Sequence, residues 1–329
     1  MMSPIHRTIA LFSIAGGLAA CAPPALQAPN TDALSLRGRE AHGIMPADNS
    51  ARLFVGQSND NTSLILNANG KVIGTAAAPD GVFASDAAGT FYDVPLYINH
   101  FTNRVLILQR PYQDSKAISF GKYNALSVAV DVARGVYAVT TTYGGNGGGN
   151  SYAYFFKRGA SGPCSTVSQP AGIQTFDPGA AFDREGRLFV TATLSSGAVG
   201  FAMINGECNA KAAQIELLPG NEVIYPGYKL EFNAKDYLVL GDSYTGHVLT
   251  FAHPIHGLFA DPISSTVLET PSKNEIPYFR CLSGDGEFLW ANYGQDMFAE
   301  YRYPQGGSAL RKVRLSYTYT CAADPPLKP

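Results

Sequence analysis

The sequence predicts an all-β fold, a six-bladed β-propeller, and three observations support it. The chain has 18 Tyr and 18 Phe among 329 residues, with 34 Gly and 21 Pro to supply turns, a composition suited to many short strands. No stretch shows the apolar periodicity of an amphipathic helix. A unit of two short apolar runs, each preceded by a polar turn, recurs six times. Seven blades are the alternative count, because the first repeat is weak and residues 160–180 are ambiguous.

The N-terminal segment has the layout of a secretory signal. His6 and Arg7 give a weakly basic start, and 13 uncharged residues follow, fewer than the roughly 20 that span a bilayer. The segment ends in Leu18-Ala19-Ala20-Cys21, which resembles the bacterial lipoprotein signal. The resemblance implies that residues 1–20 are removed and that Cys21 is lipidated. Ala rather than Asp at position 22 implies delivery to the outer membrane. An ordinary cleaved signal is the alternative.

The remaining chain divides into a tether, one domain and a short tail. Residues 21–40 contain Ala-Pro-Pro and Gln-Ala-Pro-Asn and predict a flexible tether, residues 41–321 the propeller, and residues 322–329 a C-terminal tail. Hydrophobic residues at 46% and charged residues at 15% indicate a core-rich globular domain. A net charge of −2 gives no electrostatic reason to expect a nucleic-acid partner.

The six repeats predict six blades. The polar turns that begin them are 48–50, 86–89, 131–135, 183–186, 233–236 and 284–286. The first apolar runs contain the anchors Phe54, Tyr92, Tyr137, Phe189, Leu238 and Leu289, which are 38, 45, 52, 49 and 51 residues apart. This spacing is typical of four-stranded propeller blades. A small twisted sheet cannot cover both of its faces alone, and radial stacking covers both.

Closure of the ring is expected near the C-terminus. We expect residues 310–319 to form the outermost strand or strands of the last blade, near an N-terminal strand around residues 43–45. Four cysteines follow Cys21, and an even number in an exported chain makes disulfides plausible. The sequence does not determine connectivity. Proximity along the chain favours the pairs Cys164–Cys208 and Cys281–Cys321.

Two segments resemble known propeller families. Residues 102–108, Thr-Asn-Arg-Val-Leu-Ile-Leu, are similar to a strand of NHL-type repeats. Residues 183–190, Asp-Arg-Glu-Gly-Arg-Leu-Phe-Val, are similar to the turn and second strand shared by NHL and gluconolactonase-like (TolB-like) six-bladed propellers. The resemblance covers roughly residues 41–320. It implies the fold more strongly than the activity, because one fold hosts many functions.

Ligands of such propellers meet the loops that enter the innermost strands or join second to third strands. Calcium is the one cofactor for which these loops offer oxygen ligands, and the candidates are Asp177, Glu222, Asp242 and Glu275. The resemblance implies an alternative function, a calcium-dependent lactonase or phosphotriesterase-type hydrolase. The match is incomplete, because only Glu40 could supply that family's first ligand. No catalytic residue follows from the sequence.

The same loops carry a candidate ligand-binding rim. Its members are His100, Tyr143, Tyr244, His247 and Asn292. Aromatic residues at a channel mouth suit a glycan or a peptide. The sequence therefore favours a binding module over an enzyme: an envelope lipoprotein, anchored through its lipid and directed to an envelope protein or glycan. A purely structural role within an envelope complex is a further alternative.

Overall fold

The computed structural model contains 24 strands in six four-stranded antiparallel sheets, which confirms the all-β six-bladed propeller. It describes residues 52–57, 62–67, 69–77, 85–91, 94–99, 103–109, 112, 115–143, 150–206, 208–209, 213–217, 226–252, 262–272, 275–294, 296–315 and 318–323. The predicted signal, Cys21 and the tether lie outside the described residues. In the described part of the chain, no helix is long and apolar enough to cross a membrane.

Each blade is a sheet of four strands, which are named below from the innermost to the outermost. Blade one contains β24 (Thr318–Ala323), β1 (Arg52–Gln57), β2 (Thr62–Asn67) and β3 (Val72–Ala77). Blade two contains β4 (Ser85–Phe91), β5 (Val94–Asn99), β6 (Arg104–Leu108) and β7 (Ser115–Ser119). Blade three contains β8 (Tyr123–Asp131), β9 (Val136–Tyr143), β10 (Tyr152–Lys157) and β11 (Ser165–Ser168).

The second half of the ring repeats this arrangement. Blade four contains β12 (Ile173–Phe182), β13 (Leu188–Leu194), β14 (Val199–Ile204) and β15 (Ala213–Leu217). Blade five contains β16 (Pro226–Phe232), β17 (Leu238–Asp242), β18 (Val248–Phe251) and β19 (Ser264–Thr266). Blade six contains β20 (Tyr278–Leu282), β21 (Phe288–Tyr293), β22 (Met297–Arg302) and β23 (Gly306–Arg314).

The C-terminal strand closes the ring differently from the prediction. β23 is the outermost strand of blade six, as expected for residues 310–314, but the chain then returns to the centre. β24 pairs with β1 and is the innermost strand of blade one, so residues 318 and 319 do not belong to the last blade. β24 also includes Ala322 and Ala323, which the sequence assigned to the tail. The expected strand at residues 43–45 lies outside the described residues.

Five of the six sequence anchors lie in second strands. Phe54, Tyr137 and Phe189 are in β1, β9 and β13, and the other two are in β17 and β21. Tyr92 lies outside the described residues, before the second strand β5. The predicted turn at residues 86–89 is wrong, because these residues belong to the innermost strand β4. Gly89 lies there because its Cα approaches Val130 so closely that a Cβ would be 2.6 Å from Val130 Cγ2.

Apolar side chains fill the spaces between blades. Alternation along β13 illustrates this: Leu188, Val190 and Ala192 pack towards blade three, and Phe189 packs towards blade five. Successive side chains of a strand point to opposite faces, so a buried blade is apolar on both. In the described residues, six apolar clusters each join two adjacent blades.

The pairing of the innermost with the second strand is irregular in every blade. The register shifts lie between Ala87 and Gly89, Ala125 and Ser127, Phe176 and Ala180, Pro226 and Leu230, Phe279 and Cys281, and opposite β24 between Val55 and Gln57. Bulges bend a strand and re-aim its side chains. The central channel is therefore lined by strands whose side-chain directions depart from strict alternation.

Two disulfides are present, with the pairing that the sequence favoured. Cys164 bonds to Cys208, and Cys281 bonds to Cys321. The second bond joins β20 of blade six to β24 of blade one. It thus crosslinks the two blades between which the ring closes.

Candidate functional site in the central channel and at its two faces

The propeller has two faces with different connections. Neighbouring strands in a blade are antiparallel. The loops that lead into the innermost strands and the loops that join second to third strands therefore lie at the same end of the propeller, which we call the top face. Connections from innermost to second strands and from third to outermost strands form the bottom face. The candidate calcium ligands and rim residues that the structure describes lie in loops or strand ends of the top face, except Asp177, which lies within β12.

The bottom mouth of the channel forms a cavity of about 350 Å³. The C-terminal ends of all six innermost strands line it, together with the turns that follow β16 and β20. Its polar side chains include Thr90, Lys229 and Glu231. None of these residues is among the candidates predicted from the sequence.

Lys229 and Glu231 form a charged pair at this cavity. They are two residues apart in β16, and Lys229 Nζ lies 3.4 Å from Glu231 Oε1. Glu231 Oε2 accepts a hydrogen bond of 2.7 Å from the backbone N–H of Leu282 in the next blade. Burial raises the pKa of the Glu231 carboxyl, and the nearby Lys229 charge opposes that rise. The pair therefore combines a fixed carboxylate with an adjacent ammonium group.

Arginines connect the bottom-face turns of blades three, four and five. Arg134 pairs with Asp131 at 2.9 Å and donates to the Arg184 carbonyl oxygen at 2.9 Å. Arg184 donates to the Ala234 carbonyl oxygen, and its backbone N–H donates to Asp236. These bonds satisfy turn carbonyls and hold neighbouring blades in register. Arg184 also lines the bottom cavity.

The predicted calcium ligands are not brought together in the described residues. Asp177 Oδ2 accepts a bond of 2.8 Å from Thr193, and burial raises the pKa of its carboxyl. Asp242 accepts bonds from the backbone and hydroxyl of Thr245, which caps its own turn. Glu275 follows in a loop before β20, and Glu222 lies outside the described residues.

In the described part of the chain, no group of three or more His, Cys, Asp or Glu side chains could hold a metal ion. The Asp177 and Asp242 carboxylates each accept a hydrogen bond from a threonine hydroxyl. With Glu222 undescribed, the calcium site stays a prediction, and no hydrolytic step is derived through it.

A tyrosine cluster lies at the top face of blade three. Tyr123 contacts Tyr143 and Tyr152 edge-on, with ring centroids 6.0 and 5.3 Å apart. Tyr152 contacts Tyr154 at 6.0 Å. Lys122 Nζ lies 5.6 Å from the Tyr123 ring centroid and 5.4 Å from that of Tyr143. Tyr143 is 41% exposed, so the cluster, defined as these four tyrosines with Lys122, is partly open to solvent.

The other predicted rim residues that the structure describes lie in blades five and six, apart from this cluster. Tyr244 is 70% exposed and His247 Nδ1 is hydrogen-bonded to Ser265 at 3.2 Å, both in blade five. Asn292 in blade six accepts a hydrogen bond from the buried Arg280. His100 lies outside the described residues.

Comparisons with known proteins identify the fold alone. No family model and no curated protein matches the chain. A protein of unknown function from Bacteroides caccae matches with a TM-score of 0.59 and 12% identity over 84% of this chain and 99% of that one. A chain of the nidogen/laminin complex matches with a TM-score of 0.58 and 12% identity over 84% and 100%. A Lactobacillus plantarum protein matches with a TM-score of 0.51 and 13% identity over 80% and 82%.

Proposed function

We propose that this protein is an outer-membrane lipoprotein whose propeller is a non-catalytic module that binds an envelope glycan at the tyrosine cluster. The Leu-Ala-Ala-Cys sequence ending at Cys21 supports the lipid anchor. The two disulfides support an exported, oxidising location, because such bonds are rare in reducing compartments. The NHL-like and gluconolactonase-like segments support a propeller adapted to ligand binding at one face.

The observation that carries the glycan proposal is the chemistry of the tyrosine cluster. A tyrosine combines an apolar ring with a polar hydroxyl and has few rotatable bonds, so it contributes contact area at low entropic cost. Sugar rings present apolar C–H faces edged by hydroxyl groups, which such rings and hydroxyls complement. Asn150 Nδ2 lies 3.4 Å from the Tyr152 hydroxyl oxygen and adds a polar side chain beside the cluster.

The cation beside the cluster favours an acidic glycan. The Lys122 ammonium group lies over two ring faces, and the side chain is exposed. A carboxylate or sulfate on a sugar that stacks against Tyr143 would meet this charge. The overall charge of −2 does not attract anions, so the selectivity is a local property of blade three.

The test is binding of the full chain to dextran, alginate and dextran sulfate, which are a neutral, a carboxylated and a sulfated polysaccharide. We expect Tyr143→Ala to weaken binding of an acidic glycan at least about tenfold, since aromatic hot-spot contacts are worth about 1–2 kcal/mol or more. Tyr244→Ala, an exposed tyrosine of blade five, is the matched control and should leave affinity unchanged. Equal losses in both variants, or capture of a protein with no glycan bound, would contradict the proposal.

A further inference from the structure

The bottom cavity differs in chemistry from the tyrosine cluster. Its volume of about 350 Å³ is at the lower end of the range for small-molecule pockets, roughly 300–1,000 Å³. Aliphatic and glycine residues of the innermost strands make up much of its wall. A cavity of this size at the end of a propeller channel suits a small molecule rather than a polymer.

The charged pair at this cavity is built into the strands. Lys229 is only 8% exposed, and it lies in the bulge of β16 between Pro226 and Leu230. The hydrogen bond from the Leu282 backbone fixes one oxygen of Glu231 and ties it to blade six. The Glu231 carboxylate is therefore held by the main chain of two adjacent blades, and Lys229 lies in the same strand rather than in a surface loop.

Stability alone does not account for such a pair. Burying two charges costs desolvation, and apolar residues of similar size often stabilise a fold as well or better. Lys229 Nζ and Glu231 Oε1 lie 3.4 Å apart. A ligand with opposite charges in the same close arrangement would engage both groups.

We propose that the bottom cavity binds a free α-amino acid as its zwitterion, with the ligand carboxylate on Lys229 and the ligand ammonium on Glu231. In an α-amino acid the carboxylate and the ammonium group are both bonded to the Cα atom. The two charges are therefore close together, which matches the short spacing between Lys229 and Glu231. A peptide separates these charges, and a simple organic acid would pair with Lys229 but would offer no cation to Glu231. This site is independent of the glycan site, which lies at the other face.

The first arm of the test uses the unmodified full chain. Thermal melting and calorimetric titration are measured with each free amino acid, and then with its N-acetyl and its amide derivatives, which each lack one charge. We expect at least one free amino acid to raise the melting temperature, because a ligand of the folded state stabilises it. Both derivatives should bind at least about tenfold more weakly, the cost of one charged hydrogen-bonded contact.

The second arm uses variants of the pair. Lys229→Met and Glu231→Gln should each reduce the affinity at least about tenfold, and Lys235→Met, on an exposed residue of the turn after β16, should not. The derivative series requires no variant, so it decides the proposal even where a variant does not fold. The proposal is overturned if no amino acid stabilises the unmodified chain, if derivatives bind as tightly as the free form, or if folded Lys229→Met retains full affinity.

Discussion

Removing the Cys281–Cys321 disulfide, here called the closure disulfide, should destabilise the propeller more than removing the Cys164–Cys208 disulfide. The perturbation is the double substitution Cys281→Ala/Cys321→Ala. This bond links blade six to the C-terminal strand that completes blade one, and both sulfur-bearing side chains are fully buried in the cluster between these blades. The substitution therefore removes a chain crosslink and creates a small void at the point where the ring closes.

The magnitude follows from loop length and packing. The bond spans 40 residues, for which the chain-entropy relation gives about 4 kcal/mol. Loss of two buried sulfur atoms adds roughly 1–2 kcal/mol. With an unfolding entropy of about 2.1 cal/mol/K per residue over roughly 280 residues, a total of about 5–6 kcal/mol lowers the melting temperature by roughly 9 °C.

The control is Cys164→Ala/Cys208→Ala, whose bond spans 44 residues. The entropic loss is again about 4 kcal/mol, but Cys164 is exposed, so no comparable packing loss is added. The comparison is between the melting temperatures of the unmodified protein and the two double variants, measured by calorimetry under oxidising conditions. The reasoning about closure is refuted if the closure variant loses no more stability than the control variant.

Two further predictions concern closure and pH. Deleting residues 318–329 removes β24 and leaves β1 as an unpaired inner edge, so size-exclusion chromatography should show an aggregated protein. Deleting residues 324–329 leaves every described strand intact and should give a monodisperse protein. Burial raises the folded-state pKa of the Glu231 carboxyl above its ordinary value of 4.5, so the stability that Glu231 contributes is present below pH 4.5 and is lost as the pH rises through the raised pKa. The unfolding free energy measured in urea should therefore fall less steeply above pH 4.5 in Glu231→Gln than in the unmodified protein, and the exposed Glu185→Gln should show no such change. An unchanged slope in Glu231→Gln would contradict this account.

The sequence predicts the second strands of the blades well because the signal there is local. A tight turn such as Asp183–Gly186 and an apolar run from Leu188 lie next to each other in the chain, and both are legible without knowledge of the fold. The same holds for the disulfides, since each joins cysteines of adjacent blades, about one repeat apart. Repetition then converts a local pattern into an architecture.

The predictions for ring closure and for the first turn of blade two were wrong, because non-local contacts determine both features. The partner of β24 is β1, more than 260 positions earlier in the chain, and no local pattern indicates that a polar segment such as Thr318-Tyr319-Thr320 returns to the centre. Gly89 resembles a turn glycine in sequence, but close approach of Val130 accounts for it. Contacts between blades thus decided both cases.

The candidate site was predicted at the top face, whereas the channel cavity lies at the bottom. One signal was present: Lys229 and Glu231 lie two apart in a short strand with Leu230 and Phe232 between and after them, which places both charges on one side. Charges at alternate positions of a core strand are costly unless they are paired, so such a pattern marks a channel or a site. Loop composition, by contrast, cannot separate hydrated turns from ligand contacts.

Bulges in the innermost strands of three adjacent blades carry charged residues. Asp177, Lys229 and Arg280 occupy the irregular positions of blades four, five and six, whereas Leu126 occupies that of blade three. A bulge bends its strand and re-aims the side chain that it carries, so these residues depart from the strict alternation of the strands. Among the described bulge positions, the charged residues therefore lie in blades four, five and six, and the tyrosine cluster lies in blade three.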